Sequence, residues 1–162
     1  EIEIGDDFKK LMKTLHINYS KSSNFEETMA LMEKIISFPN KQLPLFIANS
    51  FREILGYLSI DTEIIMSSNI QKDNTLKGKN KVLNICNILG ADTYYNAIGG
   101  QELYSKKEFK EHNITLSFIE TIIQPYTQMH NKDFVPGLSI IDVLMNNSKQ
   151  NVNLLLDSFV LR

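Results

Sequence analysis

A chain of 162 residues with 43% hydrophobic and 22% charged side chains has the make-up of one globular domain and excludes disorder along its length. A net charge of −2, only two arginines (Arg52 and Arg162) and no basic run beyond two residues exclude the concentrated basic face that follows nucleic-acid phosphates. The longest apolar run, residues 43–48, contains Pro44 and falls far short of the ~20 residues a membrane helix needs.

The chain opens on Glu1 without a methionine, and Glu1-Ile2-Glu3-Ile4 alternates like half a strand, so the expectation is a record that starts partway through a larger protein. From Asp6 the period turns helical: Phe8, Leu11, Met12, Leu15 and Tyr19 mark one face. Residues 21–24 break the pattern, and Ser23 or Asn24, with Glu26 or Glu27, forms a capping box for a second helix. That helix carries Phe25, Met29, Met32 and Ile36 on its apolar face and stops at Pro39. A third spans about 42–58 and buries Leu43, Phe46, Ile47, Phe51, Ile54, Leu55 and Leu58.

After Asp61 the pattern shifts towards strands. Residues 62–67 are apolar and β-branched, a short buried strand by length. Lys77-Gly78-Lys79 precedes a helix over about 80–89, closed by Gly90 as its C-terminal glycine. Residues 92–96 read as a strand, 99–100 as a loop, 106–112 as a short helix and 114–119 as a third strand. A long irregular stretch leads to helices near 139–146 and 151–159. The expected class is α/β: a short, mostly parallel sheet with flanking helices, preceded by a three-helix layer. The whole reads as one domain, helical over 1–60 and α/β over 61–162.

Four constellations could carry chemistry. The loop Tyr94-Tyr95-Asn96-Ala97-Ile98-Gly99-Gly100 lies at the carboxyl end of a strand, where open α/β sheets bind ligands. It is either a close-approach loop for a phosphate or carboxylate, or a tight turn that needs glycine. Lys77, Lys79 and Lys81 beside a helix start form either an anion site or a solvated basic turn. Ser139 followed three residues later by Asp142 resembles a capping box; alternatively Asp142 faces a sheltered cleft as a base or substrate anchor. Tyr126 and Gln128 share a side if their segment is extended, and either line a pocket or tie down the loop.

The remaining reactive side chains point to structure. Cys86 shares a helix face with Val82, Ile85 and Leu89 and reads as a core cysteine. A single cysteine excludes an internal disulfide, and with no signal peptide read in the sequence the expected location is the cytoplasm. His16, His112 and His130 are not at metal-ligand spacing, so no metal site is expected, and no cofactor is indicated. No P-loop, GxGxxG or Ser/His/Asp order is present.

Taken together, the spacings resemble the WbqC-like family. They run from Lys77-Gly78 through Ile85-Cys86 and Leu89-Gly90-Ala91 to Tyr95-Asn96-Ala97-Ile98-Gly99-Gly100 with Leu103-Tyr104. Phe109, Ile114, Leu116 and Phe118 continue the likeness, and Phe134-Val135-Pro136 with the stretch from Leu138 to Met145 is its strongest part. The resemblance is to the family's carboxy-terminal portion. Relatives commonly carry proline at Ala97 and arginine at Lys81, and begin with a Gln-Pro, aromatic-rich segment not found here.

The family is bacterial and accompanies genes for O-antigen. The resemblance therefore implies a group-transfer enzyme, with glycine or another aminoacyl group moving onto a nucleotide-linked sugar. It implies a site formed by Asn96, Gly99, Gly100, Tyr104, Ser139 and Asp142; with Lys77, Tyr126 and Gln128 added from the residues themselves, Asp142 is the expected catalytic group and the other eight the expected substrate binders. The rival readings are a non-catalytic binding or assembly module and another nucleotide-binding α/β enzyme. A missing amino-terminal segment would leave an open sheet edge, so self-association, with residues 1–4 pairing across subunits, is also expected.

Overall fold

The computed structural model describes residues 6–40, 42–129 and 133–162. The expected strand at residues 1–4 and His130 lie outside them. The chain forms two compact units: residues up to Ile64 join Ile123–Asp157, and Ile65–Ile122 joins Ser158–Arg162.

The first unit is helical. It contains α1 (Asp6–Tyr19), α2 (Phe25–Ile36), α3 (Leu43–Leu58), α6 (Ile140–Asn146) and α7 (Lys149–Leu156). Pro44 sits in the first turn of α3, where its missing N–H costs nothing. Helix α2 carries Glu26 and Glu27 in its first turn and Lys34 in its last, each sign suited to the helix dipole.

The predicted capping box of α2 does not form. Asn24 occupies the N-cap, but its side-chain amide donates to the carbonyl of Asn147 instead, and its backbone N–H donates to the Met145 carbonyl at 3.2 Å. These bonds tie the α1–α2 turn to the end of α6.

Helix α2 presents apolar residues on two flanks because it is packed from two sides. Leu31 and Ile35 join Phe46 and Leu58 of α3, Leu144 of α6 and Val152 of α7 in one cluster. Phe25, flanked by Met29 and Met32, joins Leu15 of α1 and Met145 of α6 in another. The helices expected as a separate leading layer thus share their core with α6 and α7 from the end of the chain. Helix α3 buries Phe46 and Leu58 as predicted, but Leu43, Ile47 and Phe51 are exposed. These three recur every fourth residue and so occupy one stripe of the helix.

The second unit holds α4 (Gly78–Ile88), β1 (Thr93–Ala97), α5 (Lys106–Glu111), β2 (Thr115–Thr121) and β3 (Phe159–Leu161). Strands β1 and β2 are parallel, with Tyr95 opposite Ser117. Strand β3 runs antiparallel to β2, with Glu120 opposite Val160. The order is β1-β2-β3, so the class is mixed α/β as expected, with the longer β1–β2 pairing parallel and the short β3 antiparallel at the edge. Leu83, Cys86, Phe109, Ile114, Leu116 and Phe118 form the core of this unit.

Two sequence expectations change here. Residues 62–66 pair with no strand, and a short 3-10 turn follows at Ser67–Asn69. Phe159, read as the end of a helix, instead begins β3, because α7 stops at Leu156.

Helix ends in both units use one device. At the end of α4, the N–H of Gly90 bonds Asn87 and that of Ala91 bonds Cys86, the paired pattern of a Schellman motif. Gly90 has φ +65°, as expected from its place in the sequence. Asn113 (φ +59°) and Ser59 (φ +58°) close α5 and α3 the same way without being glycine.

Candidate functional site

The polar centre of the helical unit is Asp142 in the first turn of α6, a position set by the N-cap residue Ser139. The Ser139 hydroxyl accepts the Ile141 N–H at 3.3 Å, which accounts for one half of the expected capping box. The other half is missing, because the Asp142 carboxylate is engaged elsewhere. It is 5% exposed. Its Oδ1 accepts the Tyr19 hydroxyl at 2.8 Å and the Asn146 amide at 3.1 Å. Its Oδ2 accepts the Tyr126 hydroxyl at 2.6 Å and the Gln128 amide at 3.2 Å.

An ionised carboxylate offers about four acceptor sites, and four side-chain donors meet this one. The same low-polarity surroundings that make a bare carboxylate costly strengthen each of these bonds. The phenols respond in kind. Burial first, and then the bond to Asp142, push both Tyr19 and Tyr126 up to about 12, so both remain protonated donors at neutral pH.

Gln128 is the hinge of the surrounding loop. Its Oε1 accepts the Val135 N–H at 2.8 Å while its Nε2 donates to the Val135 carbonyl at 2.9 Å. Asn146 does the same for the other flank: its amide nitrogen bonds the Asp142 carbonyl, and its oxygen accepts the Met129 N–H at 3.2 Å. The Tyr126 ring meets Phe134 edge-on, with centroids 5.2 Å apart. Tyr126 and Gln128 therefore do point to one side, at the same carboxylate oxygen.

The sheet unit has its own cluster. The Asn96 amide donates to the Tyr94 hydroxyl at 3.0 Å. Tyr94 stacks on Phe109 at 5.4 Å, and Tyr104 meets both rings edge-on. Burial raises the Tyr94 phenol, helped by the neighbouring Tyr104. Gly100 is buried under Asn96; a Cβ there would lie 2.9 Å from the Asn96 Cγ and Oδ1. Its glycine serves close packing within the chain. Gly99, by contrast, is exposed with open space around it, in a 3-10 turn spanning Ile98–Glu102.

The lysines at the start of α4 are spread out. Lys77 is exposed at the N-cap, Lys79 pairs with Glu108 at 2.5 Å, and Lys81 helps hold the carboxyl of Asp73 low. The larger part of that lowering comes from the Thr75 hydroxyl and N–H, which close a turn on Asp73. Cys86 is buried, and burial raises its thiol, as suits a core side chain.

The predicted site residues thus divide between the units. Tyr126, Gln128 and Asp142 meet in one network of the helical unit, with Ser139 capping the helix that carries Asp142. Asn96, Gly100 and Tyr104 gather around Tyr94 in the sheet unit. Ser139 and Asp142 of the first cluster and Asn96, Gly100 and Tyr104 of the second lie in the motif stretches quoted above, and a family model matches residues 1–154. The chain belongs to the WbqC-like protein family. No curated protein and no solved structure matches this WbqC-like chain. Among its described residues no helix is long and apolar enough to cross a membrane, and no three His, Cys, Asp or Glu side chains gather as a metal ion would need.

Tyr19 and Asn146 were missed in the sequence, and Tyr94 entered only as part of the candidate loop. Tyr19 looked like the last apolar residue of α1, 123 positions from Asp142. Asn146 lies one helical turn beyond Asp142, a spacing that could have flagged it. Tyr94 alternates with Asn96 on β1 and so shares its face.

Proposed function

We propose that this protein is a group-transfer enzyme of bacterial surface-polysaccharide biosynthesis, acting in the cytoplasm to move an aminoacyl group such as glycine onto a nucleotide-linked sugar. One observation carries the reading: two phenolic hydroxyls converge on a single buried carboxylate at 2.8 and 2.6 Å. The carboxylate lies within the stretch from Leu138 to Met145, the strongest part of the resemblance to the family.

In this reading the acceptor hydroxyl or amine hydrogen-bonds to the Tyr126 oxygen. As the acceptor atom attacks the carbonyl carbon of the donor, its proton passes to Tyr126 and the Tyr126 proton passes to Asp142. The new carbon–oxygen or carbon–nitrogen bond forms, and the bond to the leaving group breaks with its electron pair on that group. The proton then returns from Asp142 through Tyr126 to the leaving group. Asp142 acts through the tyrosine because its own oxygens already face four donors. A general base reaching substrate through one intervening group is consistent with the geometry such catalysis requires.

The filled carboxylate also supports a second reading, in which Asp142 fastens α1 and the 126–128 segment to α6 and the protein is a binding or assembly module. A thermal-shift screen against nucleotide-sugars, nucleotides and glycine separates the two. A ligand at ~100 times its Kd adds about 2.7 kcal/mol of stability, a plain shift. Transfer is supported if a nucleotide-sugar stabilises the protein, and Tyr126→Phe binds it equally well but does not turn it over. Silence towards all three ligand classes, with concentration-dependent self-association in sedimentation, would sink it and leave the assembly module.

A further inference from the structure

A groove of about 510 Å³ lies between α5 and the first half of β2, wholly within the sheet unit. Its volume falls in the range of small-molecule sites, roughly 300–1,000 Å³. Its charged lining is Lys106 and Lys110, with no carboxylate. The two lysines are one helical turn apart and so project along the same stripe of α5. Neither pairs with a carboxylate among the described residues. Of the two acids on the helix, Glu108 lies on the opposite stripe and is held by Lys79 at 2.5 Å, and Glu111 lies outside the lining.

The rest of the lining is polar at the rim and apolar at the floor. Asn113, Thr115 and Ser117 supply amide and hydroxyl groups, while Leu116 is buried. The frame is stiff. Helix α5 passes directly into β2 through the Schellman turn at Asn113, where Asn113 and Ile114 bond the carbonyls of Lys110 and Phe109 at 3.0 Å each. Phe109 is fully buried, so the helix that presents the lysines is anchored in the core. Two unpaired ammonium groups beside hydroxyl and amide donors, with no acid among them, make a receptor for an oxyanion of more than one negative charge.

We propose that this groove binds the phosphoryl group of a small phosphorylated metabolite, with Lys106 and Lys110 as its charge partners. None of its residues belongs to the Asp142 network, so the proposal stands apart from the transfer reading and needs no activity for its test.

The probe is inorganic pyrophosphate, titrated into the uniformly ¹⁵N-labelled protein and followed by amide shifts, with sodium chloride of matched ionic strength as the reference. Saturable shifts at residues 106–117 are expected. Lys106→Ala with Lys110→Ala should weaken binding about tenfold or more, the loss expected when charged hydrogen-bond donors are removed. Lys107→Ala, on the same helix but outside the lining, should bind as the parent does, and Lys110→Arg should retain most of the affinity. Shifts that never saturate, that sodium chloride reproduces, or that K107A abolishes as fully as the double variant would overturn the proposal.

Discussion

In the helical unit the hydroxyls of Tyr19 and Tyr126 end on Asp142, whereas in the sheet unit Tyr94 and Tyr104 are held through their rings against Phe109. The first pair depends on a charge that must be satisfied from every side. The second depends on buried aromatic area, with one amide, Asn96, on the Tyr94 hydroxyl. The contrast shows two ways of fixing a phenol. A carboxylate network is directional and fails when one partner is lost, while ring packing is non-directional and fails when volume is lost.

The largest expected effect comes from breaking the packed side. Phe109→Ala removes a fully buried ring on which both tyrosines rest, and should cost about 3–5 kcal/mol in urea unfolding. A loss under 1 kcal/mol would mean that the tyrosines, not Phe109, hold that cluster. Next comes the polar side. Asp142→Asn places an amide N–H₂ where donors already point, and should cost about 2–3 kcal/mol by the same measurement. Near-neutral stability would show that Tyr19 and Tyr126 can turn to accept, leaving Asp142 free for a chemical role.

The comparison can be sharpened with alkali. Tyr19 and Tyr126 are raised from an ordinary value near 10 to about 12, so the folded chain holds their protons more tightly than the unfolded chain does. Their stabilising contribution is complete below about pH 10 and is lost as pH climbs through about 12. Tyr126→Phe should reduce the number of protons linked to unfolding in that window by about one. An unchanged slope in unfolding free energy against pH would show that Tyr126 titrates alike in both states.

The smallest effect lies at the end of α3, at a residue that belongs to neither cluster. Ser59 sits at φ +58°, a left-handed conformation that costs an L-residue roughly 1–2 kcal/mol. Glycine removes that strain but adds freedom to the unfolded chain, so Ser59→Gly should stabilise by about 0.5 kcal/mol in thermal unfolding. A decrease in stability would show that the serine side chain contributes more than its strain costs.

Much of the fold was readable from local pattern. The four longest helices, α1 to α4, announce themselves by period, and Gly90 closes α4 as its position implies, because helix ends are governed by residues within one turn. The family likeness was equally legible, since it lives in the spacing of residues along the chain. Other features were not local. Residues 62–67 have the composition of a strand but find no neighbour to pair with, and residues 159–161 look like a helix end but lie beside β2. Strand identity is settled by a partner, and the partner of β3 is about forty residues away in sequence.

The candidate site divides along the same line. Sequence by itself determined the α/β class, the family, the capping role of Ser139 and the shared side of Tyr126 and Gln128, all consequences of short-range periodicity and chain order. Only the tertiary structure decided that Asp142 is saturated, that Tyr19 reaches it from α1, and that Gly100 makes room for Asn96. A buried carboxylate takes whatever donors the packed helices bring within about 3 Å, and no local rule says which those will be.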